Sequence, residues 1–475
     1  MNQENNENLM NKIVSLCKRR GFVYPASEIY GGFANTFDYG PMGVELKNNI
    51  KSEWWKRFVT SREDIIGLDS AIIQNPKTWE ASGHLSSFSD PLVECKKCHS
   101  RFRQDQIKET RNKKSSFAEA TEDRQIQNNN DQNRIPDQVG DDGQKCKNGG
   151  EHEWTEAKDF NLMFKTFVGP TQEKDSVAYL RPETAQGIFS NFKNVIQSNR
   201  IKIPFGIAQI GKAFRNEITP GNFTFRTLEF EQAEIEYFIE PNKEKSATEY
   251  NKWISEAKKF FLDLGVKKEN LSIREHEKDE LSHYSMGTSD IEYNFPFGVS
   301  ELAGIAQRSD YDLFQHQKYS GQDLQYREEG KEPYIPYVVE PSFGIDRAML
   351  AFLVDAYDES DGSDGRERGE VTLRLNPKIA PIKVAVFPLM KKEGLPEIAK
   401  KIYKDLIDAD LASFYDESGS IGRRYRRQDE IGTPWCITVD FDSLKDDTVT
   451  LRDRDTMKQE RVKINEIVSS IKYHV

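Results

Sequence analysis

The chain has 475 residues, more than a single hydrophobic core organises, so two or three domains are expected. Its net charge of −11, from 67 Lys and Arg against 78 Asp and Glu, argues against a globally basic nucleic-acid binder but leaves room for a local basic patch. No apolar run approaches the length of a membrane span, Met1 to Asn11 lacks an apolar signal core, and five cysteines do not make a disulfide scaffold, so a soluble, cytoplasmic protein with no membrane partner is expected.

The first predicted element is an amphipathic helix over 43–59, where Leu46, Ile50, Trp54 and Phe58 repeat every four residues beside Trp55. An apolar strand follows from Ile65 to Ile73 and is stopped by Pro76. Residues 109–144 contain the amide run Asn128 to Asn133 and only Phe117, Ile126, Ile135 and Val139 as large apolar side chains. Such a stretch cannot bury enough surface to offset its ordering entropy, so it is expected to be a disordered insert.

From 160 to 350 strand-like runs alternate with loops, at 160–167, 178–180, 205–214, 225–239 and 337–339, with a helix over 246–264. A strand ending near Glu340, a Ser342-Phe343-Gly344 turn and a helix from Ile345 to Tyr357 come next. The glycine allows close backbone approach, and the helix start offers N–H groups to phosphate. Asp358 to Glu370 reads as an acidic loop. Beyond Pro377 a strand (383–388), a helix (395–409) and a strand (435–441) suggest a small α/β domain. Its basic cluster Arg423, Arg424, Arg426 and Arg427 around Tyr425 is either a solvated helix face or an RNA contact that combines stacking and phosphate binding.

Cysteines bracket the insert. Cys95-Lys96-Lys97-Cys98 has the spacing of half a zinc knuckle, and Cys146 and His152 lie on the far side. A second Cys-x-x-Cys is absent, with His99 or His152 left as a fourth ligand; the alternatives are a zinc site, a degenerated one, and reduced, unbound thiols. Cys17 and Cys436 are isolated and read as core residues.

The densest chemistry is Phe214-Arg215-Asn216-Glu217, a Pro220-Gly221 turn, and Phe225-Arg226-Thr227-Leu228-Glu229-Phe230. It reads as two antiparallel strands that present arginine forks, an aromatic ring and carboxylates, a set suited to a nucleoside triphosphate. Alternation places Leu228, Phe230, Gln232 and Glu234 on one face and Glu229, Glu231, Ala233 and Ile235 on the other. Phe230 and Glu234 are then roughly 13 Å apart, at the two ends of an elongated ligand. The plainer alternative is a solvated strand with surface carboxylates.

This hairpin resembles motif 2 of the class II aminoacyl-tRNA synthetases. Gly31-Gly32-Phe33-Ala34-Asn35, Asp38-Tyr39-Gly40-Pro41, Arg181-Pro182-Glu183-Thr184-Ala185-Gln186-Gly187 and Glu340-Pro341-Ser342-Phe343-Gly344-Ile345-Asp346-Arg347 resemble the homodimeric-type glycyl-tRNA synthetases, from about residue 12 to the C-terminus apart from the insert. The resemblance implies an α+β fold: a class II catalytic domain on an antiparallel sheet over 1–376, with a 94–157 insertion, and an α/β anticodon-binding domain over 377–475. It implies ATP and glycine as substrates, tRNA(Gly) as partner, Mg2+ as cofactor, Zn2+ as an open question, and a homodimer built on the 43–59 helix and the strand after it.

The resemblance also carries the site residues. Arg215 and Arg347 would be catalytic. ATP would be bound by Arg215, Asn216, Glu217, the run Phe225, Arg226, Thr227, Leu228, Glu229 and Phe230, then Glu301, Leu302, Gly344, Ile345, Asp346 and Arg347. Glycine would be bound by Arg103, Glu183, Phe230, Glu231, Gln232, Ala233, Glu234, Glu340, Ser342 and Gly344. Glu301 would hold magnesium, and Cys95, Cys98, Cys146 and His152 are the zinc candidates. Arg423, Arg424, Arg426 and Arg427 would meet tRNA. A tRNA-binding protein that had lost catalysis would be expected to lack Arg215, Glu217 or Arg347, and all three are present. A synthetase for another small amino acid would keep the ATP residues and change the pocket.

Overall fold

The computed structural model describes residues 3–104, 146–170, 172–218, 220–278, 280–281, 285–392 and 394–474, so the 109–144 insert lies outside the described residues. Helix α1 (Gln3–Arg20) opens the chain and buries Ile13, Leu16 and Cys17 on one face. Helix α2 (Pro41–Trp55) starts on a proline, where a missing N–H costs nothing, and continues as a π turn over Lys56–Thr60. Its stripe is the expected one, but Trp54 and Phe58 pack on Phe343 at 5.9 and 5.4 Å in the chain's own core. They do not face outward, so neither is available to a partner.

Strand β1 (Ile65–Gly67) is shorter than the 65–73 run expected. Past Gly67 backbone pairing gives way to side-chain contacts: the Ser70 hydroxyl bonds to Gln209 of the sheet's edge at 3.0 Å, and its carbonyl accepts from Arg181 at 2.7 Å. Ile73 pairs instead with Leu180 in a separate small sheet. Next comes a three-stranded arm, β2 (Ser89–Glu94), β3 (Arg101–Arg103) and β4 (Lys158–Asn161), in the order β3-β2-β4.

The larger unit is built on one seven-stranded sheet. After helix α3 (Ala185–Asn199) come β5 (Phe205–Phe214) and β6 (Glu229–Ile239), then helix α4 (Lys243–Asp263). Strands β7 (Leu271–Glu275), β8 (Gly287–Phe295), β9 (Gly298–Ser309) and β10 (Tyr337–Gly344) lead into helix α5 (Ile345–Ala356). The order is β7-β8-β9-β10-β6-β5-β1, antiparallel except for the β5–β1 pair. Helices α2, α4 and α5 cover one face through a continuous core that includes Trp54, Phe58, Trp253, Phe261, Phe343 and Leu350.

Strand β10 runs four residues past Glu340, so Ser342, Phe343 and Gly344 are strand, not turn. Both its edges are paired there: Ser342 lies opposite Glu234 and Gly304, and Phe343 opposite Ala233 and Ala303. The acidic segment after α5 is also more ordered than a loop. Tyr357–Glu359 pairs with Val371–Leu373, and Arg366 bridges Asp358 and Asp364.

The C-terminal unit has its own core and a five-stranded sheet. Strand β11 (Val384–Pro388), helix α6 (Leu395–Asp408), strand β12 (Ser413–Tyr415), helix α7 (Ile421–Asp429), and strands β13 (Trp435–Val439), β14 (Thr448–Asp453) and β15 (Gln459–Lys463) stack as β12-β11-β13-β14-β15, and helix α8 (Ile467–His474) closes the chain. Arg454 donates to the carbonyls of Leu375 and Gly432, and Arg20 pairs with Glu430, which ties this unit to the larger one.

Candidate active site

The β5–β6 hairpin, the end of β9 and the β10–α5 junction enclose a cleft of about 310 Å³. It is lined by the predicted Arg215, Glu217, Phe225, Arg226, Thr227, Phe230, Glu301, Gly344, Asp346 and Arg347 at one end, and by Glu183, Gln232, Glu234, Glu340 and Ser342 at the other. The strand alternation explains the split of β6: Phe230, Gln232 and Glu234 face the cleft in register. Ala233, Leu302 and Ile345 are buried in the hydrophobic core beneath it, so they support the cleft and do not reach a ligand. Glu229 is exposed and paired with Lys212, and neither Asn216 nor Leu228 lines the cleft.

Two further carboxylates serve as braces. Glu231 also lines the cleft, and its carboxylate receives Lys47 at 3.2 Å and Lys51 at 3.1 Å from α2. The pleat sets its side chain opposite to those of Phe230 and Gln232, where the two lysines occupy it. Asp346 accepts from the Tyr39 hydroxyl, from Lys47 at 2.6 Å, and from the Glu231 N–H at 2.6 Å. Arg103 does not line the cleft. It pairs with Asp90 at 2.9 Å in the neighbouring arm.

The arginines are posed by contacts that leave part of each fork to a ligand. Arg215 lies between the rings of Phe88 and Phe230, at 5.4 and 5.3 Å, and its Nε donates to the Pro182 carbonyl at 3.1 Å. Arg347 stacks on Phe225 at 4.4 Å and pairs with Glu301 at 2.8 Å. Desolvation pushes the Glu301 carboxyl up, and the charge and hydrogen bond of Arg347 more than reverse it. Glu217 Oε2 is buried with no hydrogen-bond partner among the described residues. Gly304 keeps the floor open: a Cβ there would stand 3.3 Å from Glu301 Oε1 and 3.6 Å from Asp290 Oδ1. These two carboxylates therefore converge, and burial together with Glu301 raises Asp290.

At the inner end carboxylates outnumber cations. Glu234 accepts from the Thr184 N–H at 3.0 Å, the Thr184 hydroxyl, Ser342 Oγ at 2.8 Å and Gln232 at 3.0 Å. Burial and the neighbouring Glu183 raise it, while four donors and no acceptor describe an ionised group. Burial also raises Glu183, but the charge and hydrogen bond of His84 at 3.4 Å, the field of Arg308 and a bond from Gln186 outweigh it and hold it well below the usual carboxylate range.

Arg308, His84, Thr184, Glu236 and Asp312 were not among the sequence-predicted residues. Arg308 is fully buried and forks twice, onto Asp312 at 2.8 and 2.9 Å and onto Glu340 at 2.9 and 3.0 Å. Burial pushes Glu340 up to about 8, although the fork favours its ionised form. Glu236, neither of whose oxygens meets a donor among the described residues, is raised as well, by burial and by the neighbouring Glu340. An arginine in the buried stretch of an apolar strand was the one sequence signal for Arg308.

A second constellation lies on the arm. Cys95 Sγ and Cys146 Sγ are 3.9 Å apart, Cys98 Sγ and His152 Nδ1 are 3.6 Å apart, and the four ligand atoms lie within 4.8 Å of one another. Tetrahedral zinc with its usual bond lengths puts sulfurs about 3.8 Å apart and sulfur and nitrogen about 3.5 Å apart. The Gly149-Gly150 turn, with φ of 88° and 73°, brings Cys146 and His152 together where a second Cys-x-x-Cys would otherwise serve. Burial raises the Cys95 thiol, but the backbone N–H groups of Cys98, Lys97 and Glu153 and a bond from His152 bring it down to about 5. His99 points elsewhere, to Glu94 at 2.9 Å.

In the C-terminal unit the basic cluster divides. Arg423 and Arg426 are exposed on α7. Arg424 is buried and donates to the carbonyls of Pro388, Leu389, Asp416 and Gly419, which removes it from the tRNA-contacting set. Arg427 is half-buried against Asp416.

An antiparallel sheet carrying an arginine hairpin and a strand-to-helix arginine, with a separate α/β unit behind it, defines a class II tRNA synthetase. The sequence matches the tRNA synthetase class II core domain (G, H, P, S and T) over residues 164–356 and an anticodon binding domain over 383–474. Among solved structures, prolyl-tRNA synthetase from Cryptosporidium parvum complexed with L-proline and AMP shares the fold at a TM-score of 0.62 and 13% identity, covering 97% of this chain and 76% of that one. The glycine–tRNA ligase of Caldanaerobacter subterraneus is 56% identical over 96% of both chains, and that of Clostridium kluyveri 56% identical over 98% of both. The chain belongs to the glycine–tRNA ligase family.

Proposed function

We propose that this chain joins glycine to the 3′ end of tRNA(Gly) in two steps, through glycyl-adenylate. A glycine carboxylate oxygen attacks the α-phosphorus of ATP, the bond to the β-phosphate oxygen breaks, and pyrophosphate leaves. No protein nucleophile is required; catalysis is positioning and charge neutralisation. The observation that carries this reading is a single cleft with arginines at one end and a surplus of buried carboxylates at the other. Arg215 would grip the α-phosphate, Phe230 would stack on adenine, and Glu217, with its unpartnered Oε2, would accept from the adenine amino group. Arg226 and Arg347 would meet the phosphate tail or close over the base. Glu183, Glu234 and Ser342 would hold the ammonium, and Arg308 would keep them apart from Glu340 and Asp312. Larger amino acids would meet Ser342 and Glu183, which line that end of the cleft. The test is glycine-dependent exchange of pyrophosphate into ATP, run against alanine and serine. Exchange with an equal rate for alanine would sink the glycine assignment.

Magnesium fits Glu301 and Asp290, two hard oxygen donors that converge over Gly304. When bound it would neutralise charge on the departing pyrophosphate. Zinc fits Cys95, Cys98, Cys146 and His152, a closed donor set of the structural kind. We take 1–376 as the catalytic domain and 377–475 as the anticodon-binding domain, in a cytoplasmic enzyme.

For tRNA, Arg423 and Arg426 are the accessible charges. Replacing both with alanine is expected to raise the tRNA Michaelis constant several-fold and to spare pyrophosphate exchange, in line with loss of phosphate contacts. Equal loss in both assays would contradict that division of labour. The homodimer reading moves to other side chains, because Trp54 and Phe58 are internal. Ile29, Tyr30 and Phe33 are 86%, 86% and 65% exposed within five residues of chain, apolar side chains of the kind subunits cover. Ile29→Glu together with Tyr30→Glu is expected to give monomers with little activity in analytical ultracentrifugation. A fully active wild-type monomer would refute the assignment.

A further inference from the structure

We propose that zinc in the Cys95–Cys98–Cys146–His152 knuckle anchors the wall that orients Arg215, so that the metal governs the rate of adenylate formation at long range. The proposal rests on the zinc and ligase readings of the two sites. Strand β2 connects them: Cys95 follows it directly, and Phe88, under the Arg215 guanidinium, precedes it, roughly 23 Å away at about 3.3 Å per residue.

Three connections run from the arm into the cleft. The Leu162 N–H donates to the Phe88 carbonyl at 3.0 Å, and the Asn216 N–H donates to the Leu162 carbonyl at 2.8 Å, next to Arg215. Asn161 at the end of β4 donates to the carbonyls of His84 and Leu85 at 3.0 and 3.3 Å, and His84 faces Glu183. Arg103 and Asp90 pair across β2 and β3, and both act electrostatically on Arg226.

Among the described residues, little besides the metal would hold the arm's far end. Its buried residues Val93, Cys95, Phe102 and Cys146 belong to none of the four hydrophobic core clusters. Residues 105–145 separate β3 from Cys146, so the chain itself supplies no short connection. The rings of Phe102, His152 and Trp154 pack at 4.5 to 5.6 Å around the ligand imidazole and form a shell around the metal, not a core of their own. In so small a unit ligand bonds take the place of apolar burial. Without them β2 would loosen and Phe88 would release Arg215. Arg215 works mainly as charge builds on the phosphorus, so the loss should fall on kcat and not on the Michaelis constants for glycine and ATP.

The test uses the full-length protein. Metal content is read by plasma mass spectrometry, and the cobalt(II)-substituted protein is examined for thiolate-to-cobalt absorption. Pyrophosphate exchange is then measured for the native protein, for protein stripped with a chelator, for stripped protein given zinc back, and for Cys98→Ser, Cys98→His and Phe88→Leu. The expected result is one zinc per chain, and a fall in kcat on the order of tenfold or more on stripping or in Cys98→Ser, the size seen when a supporting residue is lost. Zinc should restore the stripped enzyme, and Cys98→His, which keeps a ligand, should retain most of the rate. Phe88→Leu should keep its zinc and share the kcat loss. Native protein with neither zinc nor thiolate-bound cobalt would overturn the zinc reading and the proposal with it. A stripped enzyme at full rate, or a Phe88→Leu variant at full rate, would overturn the coupling alone, leaving both site readings in place. If stripped protein precipitates, Cys98→Ser against Cys98→His decides the matter: equal rates in the two would overturn the coupling.

Discussion

Arg215→Lys is expected to slow adenylate formation by about 10²-fold or more, the scale of losing one preorganised transition-state donor. Lysine keeps the charge and loses the planar fork. It also loses the ring contacts, because the guanidinium stands within 5.4 Å of Phe88 and 5.3 Å of Phe230 while its Nε is committed to the Pro182 carbonyl. A flexible ammonium has no comparable guide. The effect is differential, so ground-state affinity for glycine and ATP should change far less than the rate. Rapid-quench measurement of adenylate formation at saturating substrates gives the answer. A variant that forms adenylate at the wild-type rate would mean that this hairpin does not hold the α-phosphate.

Arg308→Met is expected to be the most destabilising change in the cleft, by about 3–5 kcal/mol, the cost of removing one partner from a buried ion pair. Asp312 and Glu340 would then stand uncompensated beside Glu234 and Glu236. The deficit should depend on pH, and its sign is fixed by linkage. Glu340 is raised in the folded protein to about 8, so the native state binds more protons than the unfolded chain between the usual glutamate range and pH 8. Stability attached to this carboxyl is present at low pH and is lost as pH rises through about 8. Removing the cation raises the carboxyl further, so urea unfolding should find a larger deficit at pH 8.5 than at pH 6. A deficit of equal size at both would mean that Arg308 fills space and does not balance carboxylates.

Much of the cleft was legible because it depends on local pattern. The alternation of β6 places Phe230, Gln232 and Glu234 inward and Glu231 outward, as the structure has it. Glu231 and Ala233 were nevertheless assigned to glycine because the resemblance named a continuous run of residues. The helix over 246–264 and the strands of the C-terminal unit follow ordinary periodicities, and they lie where those predict. What sequence could not supply is set by distant contacts. Arg308 becomes a site residue only when β9 brings it beside β10 and the start of the next helix. His84 sits on a four-residue helix, too short to leave a periodic signal. Arg424 looks like its neighbours in a charge run, and only four backbone carbonyls from two other segments reveal it as interior. The fourth ligand of the cysteine group was likewise open between His99 and His152 until the Gly149-Gly150 turn and the bridge from Cys95 to Trp154 brought His152 in. Helix α1 is a different case: its Ile13, Leu16 and Cys17 spacing was available to reading, but polar neighbours masked it.

Asp346 bears on how the chain matures. It takes a proton donor from Tyr39 and a charge from Lys47, residues translated about 300 positions earlier, and orders the backbone of Glu231 as well. Until the ribosome has released position 346, Lys47 has only Glu231 to balance it in what will become the interior, so α2 cannot seat fully on the sheet. The N-terminal half is therefore obliged to wait in a loose state for the segment that carries Arg347. A nascent chain arrested before that point should remain sensitive to protease around α2, and one arrested well after it should not.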